Sequence, residues 1–131
     1  MAVLNQFTSV DPLHIGTLVG SLSPEIPVLE AVQDLKVTKA SILPGGAVAT
    51  GTSGTLTLYN RGTTGSGTTA IATRGTSGNP MVQNVAWDLT LTAANAKVTT
   101  GQMVTLRLTQ GSVETQVVNA TLQLQYQRMY Y

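Results

Sequence analysis

Polar and apolar residues alternate most regularly in the last part of the chain. Between positions 118 and 126 every second residue is apolar, and the residues between them are Asn, Thr or Gln. Successive side chains of a strand point to opposite faces, so this period predicts a β-strand with one buried and one solvated face. The same alternation over residues 104–109 and 85–91 predicts two more strands. In the second of these, Trp87 is expected on the inner face and Asp88 on the outer face.

Shorter patterns complete the prediction of an all-β fold. Residues 55–59 and 69–73 predict two strands of a hairpin, with its turn in the Gly-, Thr- and Ser-rich segment 62–67. Residues 93–97 predict a short helical turn or a tight loop. Residues 27–43 predict a strand that ends at Pro44, although Val28, Val32 and Leu35 also have helical spacing. Short strands separated by turns of about 6–12 residues favour an antiparallel β-sandwich, jelly-roll-like in character, over a parallel sheet.

The first 26 residues have no consistent period. They contain two prolines and many scattered apolar side chains. Ordering about 25 residues costs roughly 25–50 kcal/mol of backbone entropy unless burial offsets it, and a solvated tail is normally polar. We therefore predict an extended N-terminal arm of residues 1–26 that docks on another subunit or a partner, followed by a β-sandwich domain of residues 27–131. The arm side chains expected to make this contact are Leu4, Phe7, Val10, Leu13, Ile15, Leu18 and Leu22.

The end of the sequence, QYQRMYY, is also rich in interface-type residues. Tyr126 continues the alternation of the last strand, whereas Met129, Tyr130 and Tyr131 follow it. Tyrosine and methionine are enriched at protein interfaces because they bury a large area with a polar or flexible group. We predict that these three residues contact another subunit, and a frayed end is the alternative.

Composition limits the partners of this chain. A chain of 131 residues and 13.7 kDa fits one domain with an arm, and it contains no cysteine. Only 10% of the residues are charged, with a formal net charge of +1, so no strong field attracts nucleic acid or an anionic membrane. The seven basic residues form no run, and no apolar stretch approaches the ~18 residues of a membrane span. We expect neither nucleic acid nor a membrane as partner.

Residues suited to catalysis or metal binding are few and dispersed. His14 is the only histidine, so one chain cannot build a Ser-His triad or a multi-histidine metal site, although a three-fold assembly would bring three copies together. The six carboxylates form no cluster and no calcium-loop pattern. The glycines of segment 62–78 suggest a phosphate loop, but no lysine follows and the next segment predicts a strand. We expect no catalytic residue, no cofactor, no metal and no enzymatic activity.

A recurring order of strands and turns connects the sequence to a known class of proteins. A strand, an Ala/Asn turn, a Thr-Gly turn, a strand and a final alternating strand follow one another in WDLTLTAANAKVTTGQMVTLRLTQGSVETQVVNATLQLQYQ. A Thr/Gly-rich hairpin, LYNRGTTGSGTTAIATRG, precedes them. Over roughly residues 36–127 this order resembles the small β-sandwich proteins of tailed bacteriophage particles, among them capsid decoration or cement proteins.

The resemblance implies a structural function in a virion. A decoration protein of this kind binds the major capsid protein on the outer surface of the assembled capsid, where capsomers meet, and is a homo-oligomer, here expected to be a trimer. No catalytic residues accompany the resemblance. The alternative is a glycan- or receptor-binding module of a head fibre or tail that uses loops 62–67 and 75–80. A hydrolase is the least favoured hypothesis.

Overall fold

The computed structural model describes the backbone of residues 6–129 and the side chains of residues 12–129. Within this range the chain forms ten strands and two short 3₁₀ turns, Gly20–Leu22 and Ala93–Asn95. The strands are β1 (Gln6–Val19), β2 (Glu25–Glu30), β3 (Leu35–Leu43), β4 (Gly54–Gly62), β5 (Thr69–Gly75), β6 (Trp87–Asp88), β7 (Thr90–Leu91), β8 (Lys97–Val98), β9 (Met103–Gln110) and β10 (Gln116–Met129).

The strands form two five-stranded antiparallel sheets. Sheet A has the order β1-β10-β3-β6, and β8 also pairs with β3. Sheet B has the order β2-β9-β4-β5-β7. Buried side chains from both sheets form one hydrophobic core. The predicted antiparallel β-sandwich is therefore confirmed.

The alternating segments supply the centre of the core. On β10, Leu122 and Leu124 are at most 1% exposed and Tyr126 is 5% exposed. Leu106 and Leu108 of β9 face them from the other sheet and are fully buried. Complete burial of a leucine side chain contributes about 1.5–3 kcal/mol, so these positions explain why the two sheets stay together. The hairpin is confirmed as well, because β4 and β5 pair directly across segment 63–68.

Two predicted strands are divided in the structure. Segment 27–43 forms β2 in sheet B and β3 in sheet A, joined through residues 31–34, and β3 does end before Pro44. Segment 85–91 forms β6 in sheet A and β7 in sheet B, so the chain crosses the sandwich at the buried Leu89. Val85 is not in a strand and is 53% exposed. In both cases the sequence pattern shows extended structure but not the point at which the chain changes sheets.

The predicted arm is part of the sandwich from Gln6 onwards. β1 pairs with β10 along its length, and the predicted boundary at residue 26 falls inside β2. The irregular period has a local cause, because the register shifts on both sides of Gly16, which has a φ of 71°. Leu13 and Ile15 pack against the core before this bulge and Leu18 does so after it, so the period of two residues is interrupted. The separation into an arm and a body is thus not what the backbone shows over the described residues.

The two ends of the sandwich differ in their loops. The loop end, as we name it, consists of segments 20–23, 44–53, 76–86 and 111–115. The charged end is the opposite one and consists of segments 31–34, 63–68, 92–96 and 99–102. The first residue of β1, Gln6, is the register partner of Met129, the last residue of β10, at the charged end.

Candidate interaction surface

Hydrogen bonds join the four segments of the loop end into one continuous layer. The Gly20 N–H donates to the Thr115 carbonyl at 2.8 Å. The Ser53 hydroxyl accepts from the Val113 N–H at 2.7 Å and donates to the Val113 carbonyl at 2.8 Å. Segments 44–53 and 76–86 are bridged in turn by a reciprocal backbone pair between Val48 and Met81. The loop end is therefore ordered by its own contacts.

A buried threonine fixes the centre of this layer. The Thr76 hydroxyl accepts from the Gly54 N–H at 3.0 Å and lies 2.7 Å from the Thr52 hydroxyl. Gly54 starts β4 at a point where a Cβ would lie 2.5 Å from the Thr115 side chain. Glycine is thus required for the close approach of segments 44–53 and 111–115.

Exposed apolar side chains concentrate on this layer. Leu22 is 77% exposed, Val82 57%, Val85 53% and Val113 46%. Among the described residues one other large hydrophobic side chain is exposed, Val32 at the charged end, and its exposed fraction is 86%. Contiguous exposed apolar surface on a monomer commonly marks a site of interaction.

A turn presents two of these side chains to solvent. The Val85 N–H donates to the Val82 carbonyl at 3.1 Å, which closes a four-residue turn. Asn84 occupies the third position with a φ of 62°, a conformation that asparagine tolerates better than most residues. The Asn84 N–H is also bound to the Pro44 carbonyl at 2.9 Å. Both valines are therefore held outward by an anchored turn.

The loop end carries almost no charge. Across its four segments the only charged side chain is Glu114. The four segments of the charged end likewise contain one charged side chain, Asp34. Charged strand residues flank both ends, Glu30, Lys36, Arg61, Lys97 and Arg128 beside the charged end and Glu25, Arg74 and Asp88 beside the loop end. A partner can therefore cover the loop end with little loss of charge hydration.

The strongest electrostatic contact lies on the outer face of sheet B. Arg61 of β4 binds Glu25 of β2 through two N–H groups, each 2.7 Å from a carboxylate oxygen. The Thr105 hydroxyl donates to the same carboxylate at 2.6 Å. Arg61 also donates to the Gly67 carbonyl at 3.0 Å and lies 4.1 Å from the centre of the Tyr59 ring. This cluster fastens hairpin loop 63–68 to the sheet.

The cluster shifts the acid–base properties of its members. The hydrogen bond from Arg61 lowers the pKa of the Glu25 carboxyl, partial burial opposes this, and the Thr105 hydroxyl lowers the pKa further. The same carboxylate raises the pKa of Arg61. The pair is hydrogen-bonded to the strand and the loop beside it, so we interpret it as a structural clamp. The sequence gives no signal for it, because the two residues are 36 positions apart and meet only through strand register.

The predicted contact residues of the arm have different environments. Leu13 and Ile15 are half-buried against the core, and Leu18 is 3% exposed. These three residues stabilise their own sandwich, and the burial of Leu18 excludes it from a surface contact. Leu22 is exposed at the loop end. Leu4 and the side chains of Phe7 and Val10 lie outside the described residues.

The predicted tail contact lies far from Leu22. Met129 is half-buried at the charged end, and its N–H donates to the Asp34 carbonyl at 2.9 Å. Tyr130 and Tyr131 lie outside the described residues. Leu22 and Met129 therefore lie at opposite ends of the sandwich, whereas strand register places the backbone of Phe7 opposite Arg128, next to Met129.

The candidate chemical groups remain separate in the structure. His14 is exposed on β1, and no three His, Asp or Glu side chains among residues 12–129 are placed to hold a metal ion. Segment 63–68 leads into strand β5, whereas a phosphate loop would lead into a helix. No helix of the described chain is long and apolar enough to cross a membrane.

The two loops predicted for a glycan site also lie apart. Loop 62–67 precedes β5 and loop 75–80 follows it, so they occupy opposite ends of the sandwich. A seven-residue strand separates its ends by about 23 Å. These loops cannot form a single sugar site.

Comparisons with known proteins add little to this description. No family model matches the sequence, and no curated protein matches it. The structure of the infectious bursal disease virus Gx strain matches with 9% sequence identity and a TM-score of 0.31. The match covers 95% of this chain and 37% of the viral chain. At this TM-score the likeness carries no argument about fold or function.

Proposed function

We propose that this chain is a non-enzymatic structural protein of a bacteriophage virion, a decoration or cement protein that binds the outer surface of the assembled capsid. The order of strands and turns in the sequence supports the connection to phage particles. The observation that carries the proposal is the loop end, an ordered, apolar and nearly uncharged surface on a rigid sandwich. In this scheme the loop end contacts the major capsid protein where capsomers meet.

The physical properties of the loop end suit adhesion. Its segments are already hydrogen-bonded to one another, so little further ordering is needed on binding. Burial of each half-exposed valine contributes about 1 kcal/mol. A protein that binds the assembled shell better than free capsid subunits shifts the equilibrium towards the intact shell by that difference in affinity.

We also propose that the chain acts as a homotrimer. β1 and β2 are the outer strands of the two sheets on one side of the sandwich, and each pairs with a single neighbour. Open edges of this kind invite pairing with other chains unless they are covered, and a symmetric oligomer covers them. Light scattering after size-exclusion chromatography measures the state directly, and a mass of a monomer at micromolar concentration would contradict a trimer.

The proposal is tested with particles of the virus that encodes the chain. Val82→Asp and Val85→Asp, combined, place two carboxylates in the contact, and we expect binding of the purified chain to chain-free capsids to fall at least about tenfold. Val32→Asp is the control, because Val32 is an exposed valine, 86% exposed, at the charged end. Co-sedimentation measures the binding.

Several outcomes would contradict the proposal. The first is the absence of the chain from purified particles. The others are unchanged binding after the two loop-end substitutions and a loss of binding caused by Val32→Asp alone. The alternative function, a glycan- or receptor-binding module of a fibre or tail, was based on two loops that lie at opposite ends of the sandwich.

A further inference from the structure

A polar groove runs along the outer face of sheet A and reaches the loop end at Ala86. It has a volume of about 190 Å³ and is lined by Lys39, Ser41, Ala86, Gln123 and Gln125. Strand register places these side chains together. Gln123 of β10 is the partner of Ser41 on β3, and Ser41 is the partner of Asp88 on β6.

Asp88 lies beside the lining residues and is held to one of them, Ser41, by a short hydrogen bond. The Ser41 hydroxyl donates to one oxygen of the Asp88 carboxylate at 2.6 Å, and Ser41 is only 3% exposed. The second carboxylate oxygen lies 3.8 Å from the Lys39 ammonium group. Both of these charged side chains are 55% exposed, so the second oxygen and the ammonium group remain accessible.

The other side of the groove offers unused hydrogen-bonding groups. Gln123 and Gln125 are half-buried on β10, between the inward-facing Leu122, Leu124 and Tyr126. Within the described residues neither glutamine side chain has a hydrogen-bond partner. Each amide provides two donors and one acceptor group. The groove thus presents donors and acceptors side by side, together with the apolar wall of Ala86.

These donors, acceptors and charges determine which class of ligand fits the groove. The Asp88 carboxylate repels an anion and the Lys39 ammonium group repels a cation, so the groove favours neither kind of ion. A hydroxyl group donates and accepts at once, and adjacent hydroxyls match an amide or a carboxylate with two hydrogen bonds. The volume equals that of about six water molecules, which is the scale of one small ring.

We propose that this groove binds a neutral sugar residue, with Asp88, Gln123 and Gln125 bound to adjacent hydroxyls. The groove is shallow and contains no aromatic ring, so we expect a dissociation constant on the order of 1 mM for a single residue. Several copies on one particle would strengthen such binding through avidity. The groove shares Ala86 with segment 76–86, but the inference does not depend on capsid binding.

The test is a nuclear magnetic resonance titration of the ¹⁵N-labelled full chain. The probes are the methyl glycosides of glucose, galactose, mannose and N-acetylglucosamine, each added up to about 50 mM, well above the expected dissociation constant. We expect at least one probe to shift the amide signals of residues 39–41, 86–88 and 123–125 in a saturable way. Glucuronate and N-acetylneuraminic acid are the anionic comparisons, and we expect them to bind at least about threefold more weakly.

Substitutions identify the residues responsible. Gln123→Ala and Asp88→Asn are expected to weaken binding at least about fivefold. Gln127→Ala is the matched control, because Gln127 is another half-buried glutamine of β10 but does not line the groove. Thermal unfolding of each variant establishes that it is folded before it is titrated.

Four results would overturn the proposal. They are no saturable shift with any of the neutral probes, shifts centred outside the groove, tighter binding of the anionic sugars, and an equal loss of affinity in Gln127→Ala. Capsid binding is measured separately in Val82→Asp/Val85→Asp, so failure of the sugar site and failure of the capsid proposal are distinguishable.

Discussion

The two ends of the sandwich are built from the same kinds of loop but differ in the number of apolar side chains that they expose. At the loop end, four segments with a single charged residue, Glu114, are joined by hydrogen bonds and expose Leu22, Val82, Val85 and Val113. At the charged end, the Asp34 carboxylate accepts hydrogen bonds from the Thr100 N–H and hydroxyl, and Val32 is exposed. Order at the loop end comes from backbone and hydroxyl hydrogen bonds.

This difference suggests that one end of the domain contacts a partner and the other end does not. Exposed apolar side chains gain free energy when a partner buries them, so the end that carries four of them is the better suited to contact with another protein. The predictions below separate the contributions of the loop end from those of the charged end, beginning with the largest expected effect.

The largest expected effect comes from comparing a buried leucine of β1 beside the loop end with an exposed leucine in the loop end. Leu18→Ala removes a side chain that is 3% exposed and should lower the free energy of unfolding by about 2–5 kcal/mol. Leu22→Ala removes one that is 77% exposed and should change it by less than about 0.5 kcal/mol. Urea denaturation of both variants measures the difference. Equal effects would mean that residues 12–23 are not packed as described.

A second comparison uses two fully buried threonines of the loop end. Thr76→Val leaves the Gly54 N–H without its partner and should cost about 1–3 kcal/mol. Thr115→Val removes a hydroxyl that has no hydrogen-bond partner within the described residues, so it should be neutral or stabilising. Denaturant unfolding measures both. A loss of stability in Thr115→Val as large as that in Thr76→Val would refute the described hydrogen-bond pattern.

The sequence could predict some of these features and not others. The alternation of β9 and β10 and the glycine-rich hairpin were sufficient to predict an antiparallel sandwich, because a period of two residues directly reports one buried face. β1 was missed because the bulge at Gly16 interrupts that period. Val85 was assigned to a strand because the pattern that includes Trp87 does not show that a turn at Asn84 comes first. The loop end depends on segments up to about 90 positions apart, which only the fold brings together.

A smaller effect is expected on the outer face of sheet B, at the clamp of Glu25 and Arg61. The pKa of Glu25 is lowered in the folded protein, so its contribution to stability is present above the ordinary glutamate pKa and is lost as the pH falls through the folded value. Glu25→Gln should cost about 1 kcal/mol at pH 7 and little at pH 2. Denaturant unfolding across this pH range measures it. A difference between variant and parent that does not depend on pH would contradict the clamp.

The smallest expected effect is that of salt on capsid binding. The loop end has one charge, so raising the salt concentration from about 50 to about 500 mM should change the affinity less than about threefold. Binding through a surface with many charges would instead weaken markedly over this range. Co-sedimentation at several salt concentrations distinguishes the two kinds of contact.

A cryo-electron microscopy map of the virus particle tests the central claim most directly. With the chain present, we expect added density on the outer surface of the capsid, into which the sandwich fits with segments 20–23, 76–86 and 111–115 against the shell and Met129 directed away from it. The density should be missing from particles made without the chain. A map with no such density, or with the charged end against the shell, would contradict the account.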